Sequence, residues 1–522
     1  MKRIAIVLCA LSTFLFVAGA QAEELRGPQV IHEITHDVSS PLRDMARMTP
    51  VPKYSNHEVH APMRGPVPLQ VAPSANEADV ENTGLSVTGT TQLLNFDGQA
   101  ADGVAPPDTE GAVGATQYVQ WVNIEYNVYD KTTGALTLGP IAGNAIWTGF
   151  ATKACANNND GDPIVLYDKL AGRWFFAQNV FVSPNTICLA VSTTNDATGT
   201  YNRYSFAISP STDFPDYPKW GVWPDGYYNT YNAFKNGSTP NGFGACAADR
   251  NNMLAGNTAT IQCFKSGTAY FGALPSDLDG TTAPPAGSPN YFISLGSDTS
   301  HLNQWQFHVD FVTPTNSTFK GPTAIKVNAY TLICGATRAC IPEPTGGEKV
   351  DSLGDRVMYR YAYRNFGTYE SLLLSHTIKP TGTSTATSQV RWYEIRTPGT
   401  PTVFQQGSRQ DSKTSFWMPS IAQDKQGNIV MGFSASSSTL DPSVKYVGRL
   451  VTDAKGTMES PKTVVTGTGV QKSTSNRWGD YSMMSVDPSD DCTFWYTQEY
   501  IKTTGSFNWS TRITSFKWPG CS

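Results

Sequence analysis

Gly161-Asp-Pro-Ile-Val-Leu-Tyr167-Asp-Lys-Leu-Ala-Gly172-Arg-Trp-Phe-Phe-Ala177 is the stretch that decides the architecture. A small residue and an acid lead into a β-branched run, a turn follows, and an aromatic run returns. In an Asp-Lys-x-x-Gly turn the aspartate accepts from nearby backbone amides and the lysine keeps the tip wet. The glycine takes the left-handed backbone that closes the connection. The sequence predicts two antiparallel strands, 164–167 and 174–177, joined by residues 168–172.

The same figure recurs along the chain. Asp130-Lys-Thr-Thr-Gly134 follows Tyr126 to Tyr129, and Asp424-Lys-Gln-Gly427 divides Ser420 to Gln423 from Ile429 to Phe433. Asp487-Pro-Ser-Asp-Asp491 divides Ser482 to Val486 from Thr493 to Tyr496. The entry phrase also returns, as Pro107-Asp108, Gly161-Asp162, Gly221-Val222, Gly354-Asp355, Met418-Pro419 and Gly479-Asp480, with Trp220, Trp417 and Trp478 ahead of three of them. Its spacing is roughly 60 residues, doubled between Val222 and Asp355, which is the period of an array of like units. Four-stranded units in a closed ring make the expected fold all-β, a β-propeller of about seven blades. Leu85 to Asn95 is the candidate strand to pair with the last unit and close it. The stretch Tyr291 to Phe319 would hold the fourth blade. A pair of β-sandwiches is the competing architecture, although it would not require turn and entry phrase at constant spacing.

The ends and the composition bound the function. Lys2 and Arg3, an apolar stretch from Ile4 to Gly19, and Ala20-Gln-Ala22 read as a secretory signal over 1–22. Residues 23–84, rich in Pro, His and Asn, read as an irregular linker or pro-region wrapped on the surface, and 85–522 as the propeller domain. The chain holds 43 acidic and 38 basic residues with no basic stripe, which argues against nucleic acid as a partner. No later segment replaces the short leader as a membrane span. Nine cysteines include Cys9 in the leader. The rest are expected as local disulfides, Cys155–Cys188, Cys246–Cys263, Cys334–Cys340 and Cys492–Cys521, in an oxidising compartment. The expectation is a secreted monomer.

At Arg477-Trp-Gly-Asp-Tyr-Ser482, Val486-Asp-Pro488, Phe494-Trp495 and Glu499-Tyr500 the chain resembles secreted bacterial β-propeller proteins of the sialidase-like, glycan-active type. The resemblance runs from about Asp108 to the end. It implies the propeller fold and a glycan as partner. Sialidase propellers carry Ser-x-Asp-x-Gly-x-Thr-Trp on an outer hairpin. Asp487 to Trp495 echoes that box with Cys492 where glycine belongs, and no arginine triad can be placed.

In a propeller the first strand of each blade lines the central channel, and its leading end opens on the face where ligands usually bind. Asp108, Asp162, Asp355 and Asp480 stand at four such ends and are the candidate catalytic acids. Facing carboxylates raise at least one pKa, as a general acid on a glycosidic bond requires. Each could instead cap its own turn. Trp220, Trp223 and Tyr227 are the candidate stacking platform for a sugar ring, with Asp216, Lys219 and Asp225 beside them to bond its hydroxyls, or else packing between blades. Arg356, Arg477 and Tyr481 are the remaining candidate substrate contacts, the arginines as clamps for a uronate or as ion-pair partners of the adjacent acids. Asn158-Asn-Asp160-Gly-Asp162 opens like a calcium loop, with Asp160 and Asp162 as candidate Ca2+ ligands. Pro163 and Lys169 occupy the places where such a loop needs glycine and an acid, so an ordinary turn competes. His32-Glu-Ile-Thr-His36 matches the zinc-protease pattern, but two β-branched residues and Pro41 disfavour the helix that motif needs. The leading functional expectation is a polysaccharide hydrolase or uronate lyase. A non-catalytic carbohydrate-binding or adhesin-like propeller is the alternative, and a scaffold for protein partners the third.

Overall fold

A computed structural model describes residues 23–51, 57–58, 65–72, 89–208, 213–335, 337–380, 386–397 and 399–522. The expected leader, Cys9 included, lies outside the described residues, as does most of 52–88 with His60.

The protein is an all-β propeller. Among the described residues the strands fall into seven antiparallel four-strand runs. Six are consecutive in sequence, over 109–142, 164–207, 213–265, 274–326, 358–409 and 415–465. The seventh takes three strands from 483–517 and borrows its outer strand, Thr91–Ala100, from the other end of the domain. The leading strand of each run packs on that of the next, and Met483–Val486 packs on Thr109–Val113, so the ring is closed. The closing strand lies a few residues beyond the expected Leu85 to Asn95, and Ser510 faces Ala100 in its register. Leading strands such as Thr109–Val113 and Ile164–Asp168 are buried along their whole length. This suits the unbroken apolar run Ile164 to Tyr167, which lacks the alternation of a strand with one wet face, and it leaves Glu110 of the first run buried. One leading strand departs from the pattern. Leu274 and Pro275 pair within their own run, whereas Ser276 to Leu278 pair parallel with Tyr361 to Tyr363 of the next and weld the two runs together.

The expected turns form. The Asp130 carboxylate accepts the amides of Thr132 and Thr133 at 3.0 and 2.8 Å, and Gly134 has φ of +73°. Asp424 accepts Gln426 and Asn428 amides, both at 2.9 Å. Two of the turn lysines do more than keep the tip wet. Lys131 crosses to Asp487 of the seventh run at 2.9 Å. Lys169 is buried against Asp279 of the fourth run. The turns thus tie one run to another at the far end of the channel. There Arg360, 1% exposed, forks onto Asp279 at 3.0 and 2.5 Å and reaches Asp277 at 3.1 Å. Arg364 forks onto Asp491 at 2.6 and 2.7 Å.

All four expected disulfides are present. Cys246–Cys263 bridges directly opposed residues of neighbouring strands, and Cys492–Cys521 fixes the C-terminus to the last hairpin. No helix among the described residues is long and apolar enough to cross a membrane.

The segment expected to be irregular is partly ordered. Glu23–Arg26, Gln29–His32 and Thr35–Val38 add a fifth, outermost strand to the fourth, third and second runs in turn. They cover edges that would otherwise offer unpaired backbone. His32 and His36 therefore sit in separate strands, with Glu33 between them accepting the Ala259 amide at 2.9 Å. His36 stacks on Tyr204 with ring centroids 5.6 Å apart. The zinc-protease pattern has no helix to work on.

Candidate active site

The entry phrase has a packing cause. A Cβ on Gly479 would stand 2.5 Å from the Pro107 carbonyl oxygen of the first run, and one on Gly221 2.4 Å from that of Ser276. At these two points the leading strands pass so closely that only glycine fits. A second feature shares the same ends. Asp162, Tyr217 and Met418 have φ of +49°, +57° and +54°, each followed by proline. In two of the three, the strand bulges at that point, between Asp216 and Lys219 and between Trp417 and Ser420. The third run's equivalent of Met418-Pro419 is therefore Tyr217-Pro218, and the phase set by Trp220-Gly221-Val222 is corrected. The bulge puts Asp216, Tyr217 and Lys219 at the mouth.

The expected acids do converge. The Asp480 amide donates to Asp108 Oδ1 at 3.1 Å, and the Tyr217 amide to Asp162 Oδ2 at 3.3 Å. Asn123 Oδ1 accepts the Asp108 amide at 3.3 Å, while its own NH2 group is buried without a protein partner. Asp355 joins through Arg356, whose guanidinium lies 4.6 Å from the centre of the Tyr217 ring. The floor is closed, with Asp108 and Asp162 buried. The Asp355 and Asp480 side chains keep 13% and 16% exposure, so they and the half-buried Asp216 meet the solvent.

Several candidates have other roles. Trp220, Trp223 and Tyr227 are at most 1% exposed and packed between blades, which corrects the stacking-platform reading. Trp220 and Tyr227 sandwich Phe175 of the second run, Trp223 meets Tyr363 of the fifth, and the Tyr227 hydroxyl donates to Asp168. Each ring face is already occupied by protein. Tyr481 is fully buried, its hydroxyl donating to the Pro163 carbonyl at 2.9 Å, so it supports the floor and cannot touch a substrate there. Arg356 and Arg477 are buried and engaged, on Asp355 and Asp480, both at 2.9 Å. Of their two expected roles the structure shows ion pairing. The suggested calcium ligands diverge, Asp160 accepting the Phe181 amide at 2.9 Å while Asp162 turns to Tyr217. Among the described residues no group of three or more His, Cys, Asp or Glu side chains is arranged to hold a metal ion.

Sequence reasoning placed Asp216 and Lys219 among sugar-binding neighbours and passed over Tyr217 as a site residue. The residue-proline pair at Tyr217-Pro218, like those at Asp162 and Met418, was the available signal. Lys219 is fully buried, its ammonium 3.7 Å from the ring centres of both Tyr217 and Tyr481 and donating to the Pro218 carbonyl at 2.9 Å.

Electrostatics separates the acids. Burial, reinforced by the charges of Asp480 and Asp162, pushes Asp108 well above the usual carboxylate range. Burial likewise pushes Asp480 up, but Arg477, Arg338 and Arg356 outweigh it and hold this carboxyl below its ordinary value. Burial, then Asp162 and Asp480, raise Asp216 to about 7. Lys219 is brought down to about 8 by burial, against the pull of Asp162, Asp108, Glu110 and Asp480. Beside the funnel lies a cavity of about 650 Å³ whose lining includes Arg338, Lys349, Asp351, Ser475 and Asn476. Arg338 pairs with Asp351 at 2.8 Å, and Asn476 of the lining immediately precedes Arg477, the partner of Asp480, so the cavity lies to the side of the acids and none of the five lines it. Neighbouring carboxyls of opposite protonation beside an open polar cavity suit acid/base work on a polar substrate.

No protein-family model matches the chain, and no curated protein matches it. Solved structures give distant likenesses. An endo-arabinase from Bacteroides thetaiotaomicron aligns with TM-score 0.27 and 12% identity over 69% of this chain and 94% of its own. An exo-beta-1,3-galactanase from Clostridium thermocellum aligns with TM-score 0.30 and 10% identity over 78% and 87%. The WD40 domain of SCAP from fission yeast does so with TM-score 0.29 and 9% identity over 76% and 81%. Alignments at these scores carry no argument about activity.

Proposed function

We propose that the protein is a secreted enzyme that hydrolyses glycosidic bonds of an extracellular polysaccharide at the mouth of the funnel. The observation that carries this reading is the split among converging acids. Three arginines hold Asp480 below its ordinary value, while burial and the neighbouring acids push up Asp108 on the floor and Asp216 at the solvent-facing mouth. A glycosidase needs one carboxyl of each kind beside the scissile bond. The cavity next to them is the size and polarity of a ligand site. Of the two arginines expected to clamp a uronate, Arg356 is paired with Asp355 and Arg477 with Asp480, which supports hydrolysis over elimination. Four disulfides favour an oxidising compartment.

The test is incubation of the purified protein with neutral and acidic polysaccharides, following reducing ends and absorbance near 235 nm. New reducing ends without absorbance, abolished in Asp480→Asn, are expected. Absorbance with reducing ends would mean a lyase. Silence on every substrate, with retention of one on an affinity gel, would mean a binding module.

A further inference from the structure

We propose that Asp216 is the proton donor of this site, an assignment that rests on the hydrolase reading above. The bulge at Tyr217-Pro218 sets this residue, and not Gly221, at the leading end of the third run. Asp108 and Asp162 accept backbone amides, and Asp355 and Asp480 are paired with arginines. Asp216 is half-buried at the mouth, its backbone paired with Asn232, and among the described residues its carboxyl makes no hydrogen bond or ion pair. Its strand is bulged at that residue and continues through Tyr217 in a left-handed conformation. Sparsely populated backbone of this kind clusters at functional sites. The next residue, Tyr217, donates its amide to Asp162 at 3.3 Å and its hydroxyl to the Asp480 carbonyl at 3.1 Å, so Asp216 stands beside the leading ends of the second and seventh runs. Asn123, with its unpartnered buried NH2 beside Asp108, supplies a donor on the same floor.

The step balances as follows. The Asp216 carboxyl gives its proton to the glycosidic oxygen as the bond from the anomeric carbon to that oxygen breaks, the bonding pair staying on the oxygen. A water adds through its oxygen to the anomeric carbon and loses one proton to the Asp480 carboxylate. Asp480 releases that proton to solvent, and Asp216 takes one up. Arg477 and Arg356 keep Asp480 ionised while Asp162 and Asp480 keep the proton on Asp216, so the two roles cannot exchange. The shift of Asp216 to about 7 agrees with this geometry.

Asp216→Asn and Asp216→Glu are compared with the wild type on the polysaccharide that the wild type cleaves, and on an aryl glycoside of the same sugar with a dinitrophenol leaving group. Loss of a proton donor costs about 10²–10⁴-fold on the polysaccharide. It costs little on the aryl glycoside, whose leaving group departs unprotonated. The alkaline limb of the pH profile disappears in Asp216→Asn and persists in Asp216→Glu. Equal losses on both substrates, or an unchanged limb in Asp216→Asn, would overturn the assignment while leaving the hydrolase reading intact. A wild type that cleaves nothing sinks the reading and the assignment together. Carboxyl NMR of Asp-labelled protein needs no substrate. A signal titrating near neutrality that vanishes in Asp216→Asn supports the protonated state, and no such signal overturns it.

Discussion

Replacing Arg360 with methionine tests how far the far end of the channel depends on buried charge. Arg360 is 1% exposed and reaches Asp279 and Asp277 through three contacts of 2.5 to 3.1 Å. Methionine keeps much of the apolar stem and leaves both aspartates in place. Removing one side of a buried ion pair typically costs about 3–5 kcal/mol, because the other charge is left uncompensated. Asp279 still has Lys169 and Arg364 near it, and Asp277 still accepts the Val222 amide at 2.9 Å. The lower end, about 3 kcal/mol, is therefore expected at pH 7. The pH dependence follows from the sign of the shifts. Burial raises the Asp279 pKa, but Arg360, Lys169 and Arg364 together lower it. A lowered folded value contributes stability above the unfolded pKa of about 3.9, lost as pH falls through the folded value. In Arg360→Met burial gains on the remaining cations, and the carboxyl pays at neutral pH a penalty that vanishes once it is protonated in both states. The gap between variant and wild type should shrink by more than half between pH 7 and about pH 3. Urea denaturation with disulfides intact, at both pH values, measures it. A loss under about 1 kcal/mol at pH 7, or the same loss at both pH values, would show that the two aspartates do not depend on Arg360.

Three further outcomes are expected. Gly479→Ala forces a methyl to 2.5 Å from the Pro107 carbonyl. It should lower stability by about 1–3 kcal/mol in a melt and weaken activity by separating Asp480 from Asp108, and an unchanged melt would contradict the close approach. Ser at both Cys492 and Cys521 opens a link spanning 29 residues and should cost about 2–4 kcal/mol by urea titration, with proteolysis beginning at the C-terminus. Deleting residues 23–38 uncovers three strand edges, and sedimentation velocity should show self-association; a monodisperse monomer would mean that those edges protect themselves.

The ring was legible because its construction repeats. Asp-Lys-x-x-Gly turns and convergent glycines answer local backbone demands, and local demands are written in local sequence. The disulfides followed for the same reason, each linking residues near in the chain. The site was legible in part. Asp108, Asp162, Asp355 and Asp480 stand where the phrase put them, but sequence could not weigh their partners, and Arg356 and Arg477 turned inward to those acids. Trp220, Trp223 and Tyr227 show the limit most plainly. A cluster of rings beside charged residues looks the same whether its faces meet a sugar or the neighbouring blade, and only tertiary packing decides. Asp216 escaped because a bulge shifted the phase of its strand, and the conspicuous Trp-Gly-Val behind it drew the alignment.

The outer strand Thr91–Ala100 also sets a timetable for the chain. Its partner is Ser510–Lys517, made only after the six intervening units. While the intervening units emerge, this strand has no mate, and the final unit has only three strands until the two ends meet. Thr109–Val113 and Met483–Val486 wait in the same way. Since the acids are carried on both sides of this seam, Asp108 on one and Asp480 on the other, the funnel cannot be assembled by any nascent fragment. Whatever chemistry it performs is switched on only by the completed, closed molecule.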